Sequence, residues 1–151
     1  MKTTLELHKP EEDLYVPEKA IIRDVRRLTE LEKLFTIELE SGKPLGHQPG
    51  QFVQVSVLGV GEAPISITSA PSNEAAFQLC VRSVGELTRK LHTMKKGDTL
   101  FIRGPLGNGF GEDAMNRLRG KHLLFIAGGL GYAPVRSLIN KVLAEKKEYP
   151  K

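Results

Sequence analysis

Three short stretches of this chain place glycine, hydroxyl and proline residues at spacings suited to anions and planar polar molecules. The first is Gly85-Glu86-Leu87-Thr88, at a strand-to-helix junction. Backbone N–H groups at a helix N-terminus, with a hydroxyl in the first turn, form a ready anion site, and a pyrophosphate would suit it. The same four residues also describe an ordinary turn glycine with Thr88 as a cap. The second is Ala63-Pro64-Ile65-Ser66-Ile67, whose alternation puts Ile65 and Ile67 on one face and Ser66 and Thr68 on the other. Pro64 confines this segment to a strand start or a sheet edge. An edge strand with an outward hydroxyl can receive a planar polar ligand, although a plain edge strand reads the same way. The third is Gly128-Gly129-Leu130-Gly131-Tyr132-Ala133-Pro134. Its glycines let backbone approach a phosphate at the start of a helix, and proline is compatible with that first turn. The pattern departs from GxGxxG at Pro134. The acidic ribose partner usual about 20 residues further on would fall in "EYPK", which offers nothing convincing.

The elements around these stretches are short. "AIIRDVRRL" and "LEKLFTIELE" have β texture, and Phe35, Ile37 and Leu39 alternate with Thr36 and Glu38. "SGKPLGHQPG" is a loop by its glycines and prolines. "QFVQVSVLGV" follows with Val53, Val55 and Val57 on one face, then "APISITSAP". "AAFQLCVRSV" sets Phe77, Leu79 and Val81 against Gln78, Cys80 and Arg82, and "TLFIRG" is the last strand of the set. One helix, roughly Glu86 to Met94, interrupts them with Leu87, Leu91 and Met94 at helical spacing. Short strands with Gly/Pro turns predict a small antiparallel barrel or sandwich. "GEDAMNRLRG" reads as a short helix. The texture then changes. "HLLFIAGG" is a continuous apolar run of the kind found in a buried parallel strand. "APVRSLINKVLAEKK" is an amphipathic helix carrying Val135, Leu138, Ile139, Val142 and Leu143. This divides the chain into an N-terminal arm (1–19), a β domain (20–118) and the first βα unit of an α/β domain (119–151). One βα unit cannot bury both faces of a parallel strand. The rest of that domain is therefore expected to be missing here, truncated or supplied by another chain.

Composition narrows the function classes. At 151 residues and 40% hydrophobic, the chain can bury one good core. A net charge of +4 is spread through mixed-sign segments such as "RDVRR" and "ELEK", and aromatics are 6%. Both disfavour a nucleic-acid surface or an oligonucleotide-binding barrel. No run is long enough to span a bilayer, and "MKTTLELHKPEEDLY" has no signal-peptide core. The single cysteine, Cys80, excludes an internal disulfide and a metal site built from this chain's thiolates alone. A reducing, cytoplasmic compartment follows as the simplest expectation.

Taken together, the order and spacing of the motifs resemble the ferredoxin–NADP reductase-like flavoproteins. "APISITSAP" stands where that superfamily has its Arg-x-Tyr-Ser flavin motif, and "VRSVGELT" matches its pyrophosphate motif. "GPLGNGF" matches the turn closing the barrel, and "GGLGYAP" the nicotinamide-nucleotide loop. Within the superfamily, "GQFVQVSVLGVGEAPISIT" with "LCVRSVGELTRKLH" is most similar to gamma (flavin) subunits of sulfhydrogenase-type nickel–iron hydrogenases. The electron-transfer subunit of dihydroorotate dehydrogenase and the corresponding subunit of anaerobic sulfite reductase are related. The resemblance runs from about Tyr15 to the end. It implies a mainly β fold: a six-stranded antiparallel flavin-binding barrel with one helix, then the first βα unit of a truncated α/β nicotinamide-nucleotide domain.

The resemblance also implies roles. Ser66 would contact the flavin near N5, as the catalytic hydroxyl. Pro64 and Ile67 would shape that wall and Ile65 would lie against the isoalloxazine. Val81 and Arg82 would line the ribityl and phosphate side. The Gly85–Thr88 turn, with Glu86 and Leu87, would hold the pyrophosphate. Gly128, Gly129, Gly131, Ala133 and Pro134 would approach the nicotinamide nucleotide. Two positions depart from the pattern: the motif's arginine is Ala63 and its tyrosine is Ile65. Losing a charge-assisted contact weakens FAD binding unless another cation substitutes, and Arg82 is the candidate. The implied activity is hydride transfer from NAD(P)H to FAD, then electrons onward to iron–sulfur or hydrogenase-type subunits of a hetero-oligomer. The [2Fe–2S] cluster expected in such relatives has no thiolate set here, since Cys80 stands alone. His8, His47, His92 and His122 receive no catalytic role. The alternative is a flavin-binding or assembly module that does no chemistry by itself.

Overall fold

The computed structural model describes residues 15–149. Of the arm expected over 1–19, residues 1–14 lie outside this range, and Glu18 and Lys19 already belong to the first strand. Six strands follow in chain order: β1 (Glu18–Arg27), β2 (Glu32–Leu39), β3 (Phe52–Val57), β4 (Gly61–Ser66), β5 (Ala76–Arg82) and β6 (Thr99–Leu106). The helices are α1 (Glu86–Thr93), α2 (Glu112–Leu118) and α3 (Tyr132–Ala144). A 3-10 turn, Gly129–Gly131, leads into α3.

The strands form one antiparallel sheet of order β4-β3-β6-β1-β2-β5. The alternating apolar sets fix its register. Phe35, Ile37, Val53, Val55, Phe77, Leu79 and Val81 are all at most 2% exposed and share one core. A slip of one residue would turn each of them to the outer face. α1 closes one side of this core with Leu87 and Leu91, and Met94 beyond it. Burying each such side chain stabilises by about 1.5–3 kcal/mol. The last turn of α1 is tied down from both sides. Lys33 Nζ donates to the His92 carbonyl at 2.7 Å, and His92 Nε2 lies 2.9 Å from the Val81 carbonyl. The turn after β6 requires glycine at Gly107, with φ +80°, where a Cβ would meet Phe52 at 2.9 Å.

Two expectations are corrected. The sheet is not closed into a barrel: β4 and β5 are its two edges. Only the isolated bridge Ile67–Leu79 and bonds of the next residues join the chain beyond β4 to β5. Pro64 has no N–H to extend a ladder outward from β4. The strand expected over "HLLFIAGG" is also absent, because no described residue offers it a partner strand. Its alternation survives as packing. Leu123 and Phe125 lie against a second apolar cluster of Met115, Leu138, Val142 and Tyr149, while Leu124 and Ile126 are each 85% exposed. No helix among the described residues is long and apolar enough to cross a membrane.

Candidate functional site

The open seam between β4 and β5 faces the Gly129–Gly131 turn, and a cleft lies between them. Its larger lobe, about 570 Å³, is lined by Ala63, Pro64, Ile65 and Ser66 from β4 and by Cys80, Val81 and Arg82 from β5. Val84 and Thr88 add the α1 end, and Leu130, Gly131, Ala133 and Pro134 the opposite wall. A second lobe of about 430 Å³ continues past Cys80 and Arg82 toward Thr29, Glu32, Thr68 and Arg136, with Gly129 at its rim. Members of all three sequence motifs therefore meet in one place.

Some expected residues contribute otherwise than by side chain. Leu87 points into the core at 7% exposure, so only its backbone N–H is available at the α1 N-terminus. Ile67 is fully buried among core residues and does not line the cleft, correcting its expected place on the flavin wall. The interior needed that side chain, because Ile67 alternates with Ser66 across the strand. Gly85, Glu86 and Gly128 are not lining residues either. The Thr88 hydroxyl is already engaged. It accepts from the Val84 and Gly85 N–H groups at 3.0 and 2.8 Å and bonds the Gly85 carbonyl at 3.1 Å. Thr88 thus shapes the turn that aims the first N–H groups of α1, which no helical carbonyl can satisfy.

Sequence reasoning missed Cys80, Thr68, Glu32 and Arg136 as cleft residues. The period of two that exposes Arg82 also exposes Cys80, so that signal was present. Glu32 is different. It lies opposite Arg82 in the β2–β5 register, and Arg82 Nε donates to its Oε1 at 2.5 Å. Glu32 also accepts from the Thr29 hydroxyl. The Thr29 and Arg82 bonds hold its carboxyl below the ordinary carboxylate range. Burial, and Glu32 beside it, push the Cys80 thiol up, away from thiolate chemistry.

The donor set and lining fit FAD. Pro64, Ile65, Leu130 and Pro134 put apolar groups on the cleft, and Arg82 with the α1 N-terminus would meet a diphosphate, whereas the Val81 side chain, 2% exposed, belongs to the core and not to the expected ribityl wall. Ala63 stands where an arginine would be expected and packs against the core, so Arg82 is the cation on the larger lobe, while Arg26 and Arg136 line the second.

A family model described as "Oxidoreductase FAD-binding domain" matches residues 19–110. The chain belongs to this family. It is 41% identical over 147 residues to the sulfhydrogenase 1 gamma subunit of Pyrococcus furiosus, covering 95% of this chain and 49% of that protein. It is 36% identical over 130 residues to the dihydroorotate dehydrogenase B (NAD(+)) electron transfer subunit of Caldanaerobacter subterraneus subsp. tengcongensis, covering 85% of this chain and 49% of that one. The chain thus spans about half the length of these curated relatives. Among solved structures, phthalate dioxygenase reductase superposes with a TM-score of 0.74 at 17% identity over 88% of this chain and 41% of that one. That likeness shows the fold, a ferredoxin-reductase-like FAD-binding sheet.

One histidine supports the seam from behind. His47, 7% exposed, lies with Nε2 3.1 Å from the Ser69 carbonyl, so its neutral ring must donate from Nε2. Burial lowers its pKa below the ordinary value of 6.5. The stability this confers is present above the unfolded value and is lost as pH falls through the folded one. Melting temperature should therefore drop between about pH 7.5 and about pH 5.5, and His47→Gln should remove much of that dependence. Equal pH profiles for the two proteins would contradict the assignment.

Proposed function

We propose that this domain holds FAD across the β4–β5 seam as the flavin module of an NAD(P)H-dependent electron-transfer oxidoreductase. It would work with iron–sulfur or hydrogenase-type subunits in a cytoplasmic hetero-oligomer. What supports the reading most is the cleft itself, in which Pro64–Ser66, Arg82, Thr88, Leu130, Gly131, Ala133 and Pro134 share one lining. The division into arm (1–19), flavin domain (20–118) and start of a nucleotide domain (119–151) belongs to the same proposal, as do the site roles.

Bound FAD would supply a two-electron acceptor that can release electrons singly. The chain's part is position and electrostatics. Ser66, the last residue of β4, offers a hydroxyl to the ring edge, and Ile65 and Pro64 offer an apolar face. Arg82, oriented by Glu32, and the first N–H groups of α1 neutralise the diphosphate. Gly129 and Gly131 let a second nucleotide approach the other side of the cleft. No proton-transfer base is required.

The test begins with the absorbance of the purified protein and the identity of the released flavin after phosphodiesterase treatment. A colourless protein that takes up no FAD on titration would overturn the proposal. Arg82→Ala removes the cation and leaves the Glu32 carboxylate, with its side chain only 12% exposed, without that partner. It should weaken FAD binding by about 1.5–3 kcal/mol, the range for a hydrogen bond to a charged group. An unchanged dissociation constant would move the phosphate contact elsewhere.

A further inference from the structure

α3 meets the sheet through two consecutive side chains. Arg136 Nη1 donates to the Thr68 carbonyl at 3.2 Å and to Gln78 Oε1 at 3.1 Å. Ser137, fully buried, donates to the Ser69 carbonyl at 2.6 Å. All three acceptors belong to the seam. Thr68 N–H donates to the Gln78 carbonyl at 2.9 Å, Gln78 N–H donates to Ser69 Oγ at 3.0 Å, and Ile67 bridges Leu79. The seam carries Ser66 at one end and Cys80 at the other, both of which line the cleft.

The glycine turn before α3 has little else to hold it. A Cβ added at Gly128, Gly129 or Gly131 would meet nothing within 4 Å, so at its three glycines the loop faces open space. Its hydrogen bonds are internal: Gly131 N–H to the Gly128 carbonyl, and Tyr132 N–H to the Gly129 and Leu130 carbonyls. The rigid helix that follows must therefore set its place. That helix is pinned one turn in by Arg136 and Ser137.

We propose that Arg136, assisted by Ser137, is a positioning residue that fixes the distance between the Gly128–Gly131 loop and the Ser66 side of the cleft. The proposal rests on the nucleotide-binding role given to this loop above. Arg136 acts through the helix and the seam, not as a group that reacts. A guanidinium nitrogen shared between two acceptors sets an angle as well as a distance, which a lysine does not. Gln78 is the other half of the clasp, and its outward place on β5 leaves the core free.

The test compares wild type, Arg136→Met, Arg136→Lys and Gln78→Met by hydrogen exchange, FAD titration and titration with ADP-ribose. In Arg136→Met the Gly131 and Tyr132 amides should exchange about tenfold faster, while amides of β2 and β5 keep their protection. ADP-ribose should bind about tenfold more weakly, as for one lost charged hydrogen bond passed on to the loop through α3, and FAD, whose proposed contacts lie in the larger lobe, within about twofold of wild type. Arg136→Lys should recover part of the loop protection. Gln78→Met should reproduce the Arg136→Met pattern, and it carries the test if Arg136→Met does not fold. Unchanged loop exchange in both would overturn the proposal. So would faster exchange spread equally over α2, α3 and the sheet, which marks a merely structural contact. A wild-type protein that binds no ADP-ribose overturns the nucleotide role, while the exchange comparison still decides the clasp.

Discussion

Thr88→Glu should give a folded protein that retains no FAD. Position 88 is the third residue of α1, where glutamate can reach back to the Gly85 N–H as the threonine hydroxyl does now. The helix therefore keeps a cap, and Leu87 and Leu91 keep their places in the core. The new carboxylate, however, sits at the positive end of α1, where the diphosphate would bind, and repels it. The check is a circular dichroism spectrum and melting curve beside a flavin-to-protein ratio. Stoichiometric FAD in the folded variant would remove the α1 N-terminus from the site.

The contrast between what the sequence discloses and what it hides follows from the range of the interactions. Period-two alternation in "LFTIEL", "FVQVSV" and "AFQLCVR" placed β2, β3 and β5, because each strand carries its own inside and outside. Helical spacing of Leu87, Leu91 and Met94 placed α1 in the same way. The Arg82–Glu32 pair was not legible, since its partners are 50 residues apart and only the β2–β5 register brings them together. Nor was the Arg136–Thr68 contact, spanning 68 residues, in which the acceptor is a backbone carbonyl with no sequence signature. The run "HLLFIAGG" misled for the complementary reason. An apolar string declares that it is suited to burial, not that a neighbour is present to pair with it.

A polypeptide of these 151 residues should bind FAD yet be reduced by NADH far more slowly than a form extended into a full α/β domain. Hydride transfer demands a near-attack distance of about 3–3.5 Å, and misplacement by about 1 Å can cost 10²-fold. Here one wall of the cleft is the glycine turn and the first turn of α3. The preceding segment leaves Leu124 and Ile126 85% exposed, an apolar surface that an extended domain would cover. Stopped-flow bleaching of the bound flavin by NADH measures this directly. Rapid, saturable reduction in the 151-residue protein would mean that the turn alone, or two copies paired, builds a competent nucleotide site.

The position of β6 carries a consequence for synthesis. It is the last strand among the described residues, yet it lies in the middle of the sheet, between β3 and β1. Before Thr99–Leu106 emerges from the ribosome, the nascent chain holds a β3–β4 hairpin and a β1–β2–β5 group, linked through the Ile67–Leu79 bridge and the bonds of Thr68 and Ser69 to Gln78 but without the central strand that pairs with both. Domains fold as units as their residues become available. This one can complete its sheet only once Leu106 has been made. Flavin capture on the finished sheet would therefore wait for the insertion of a single central strand.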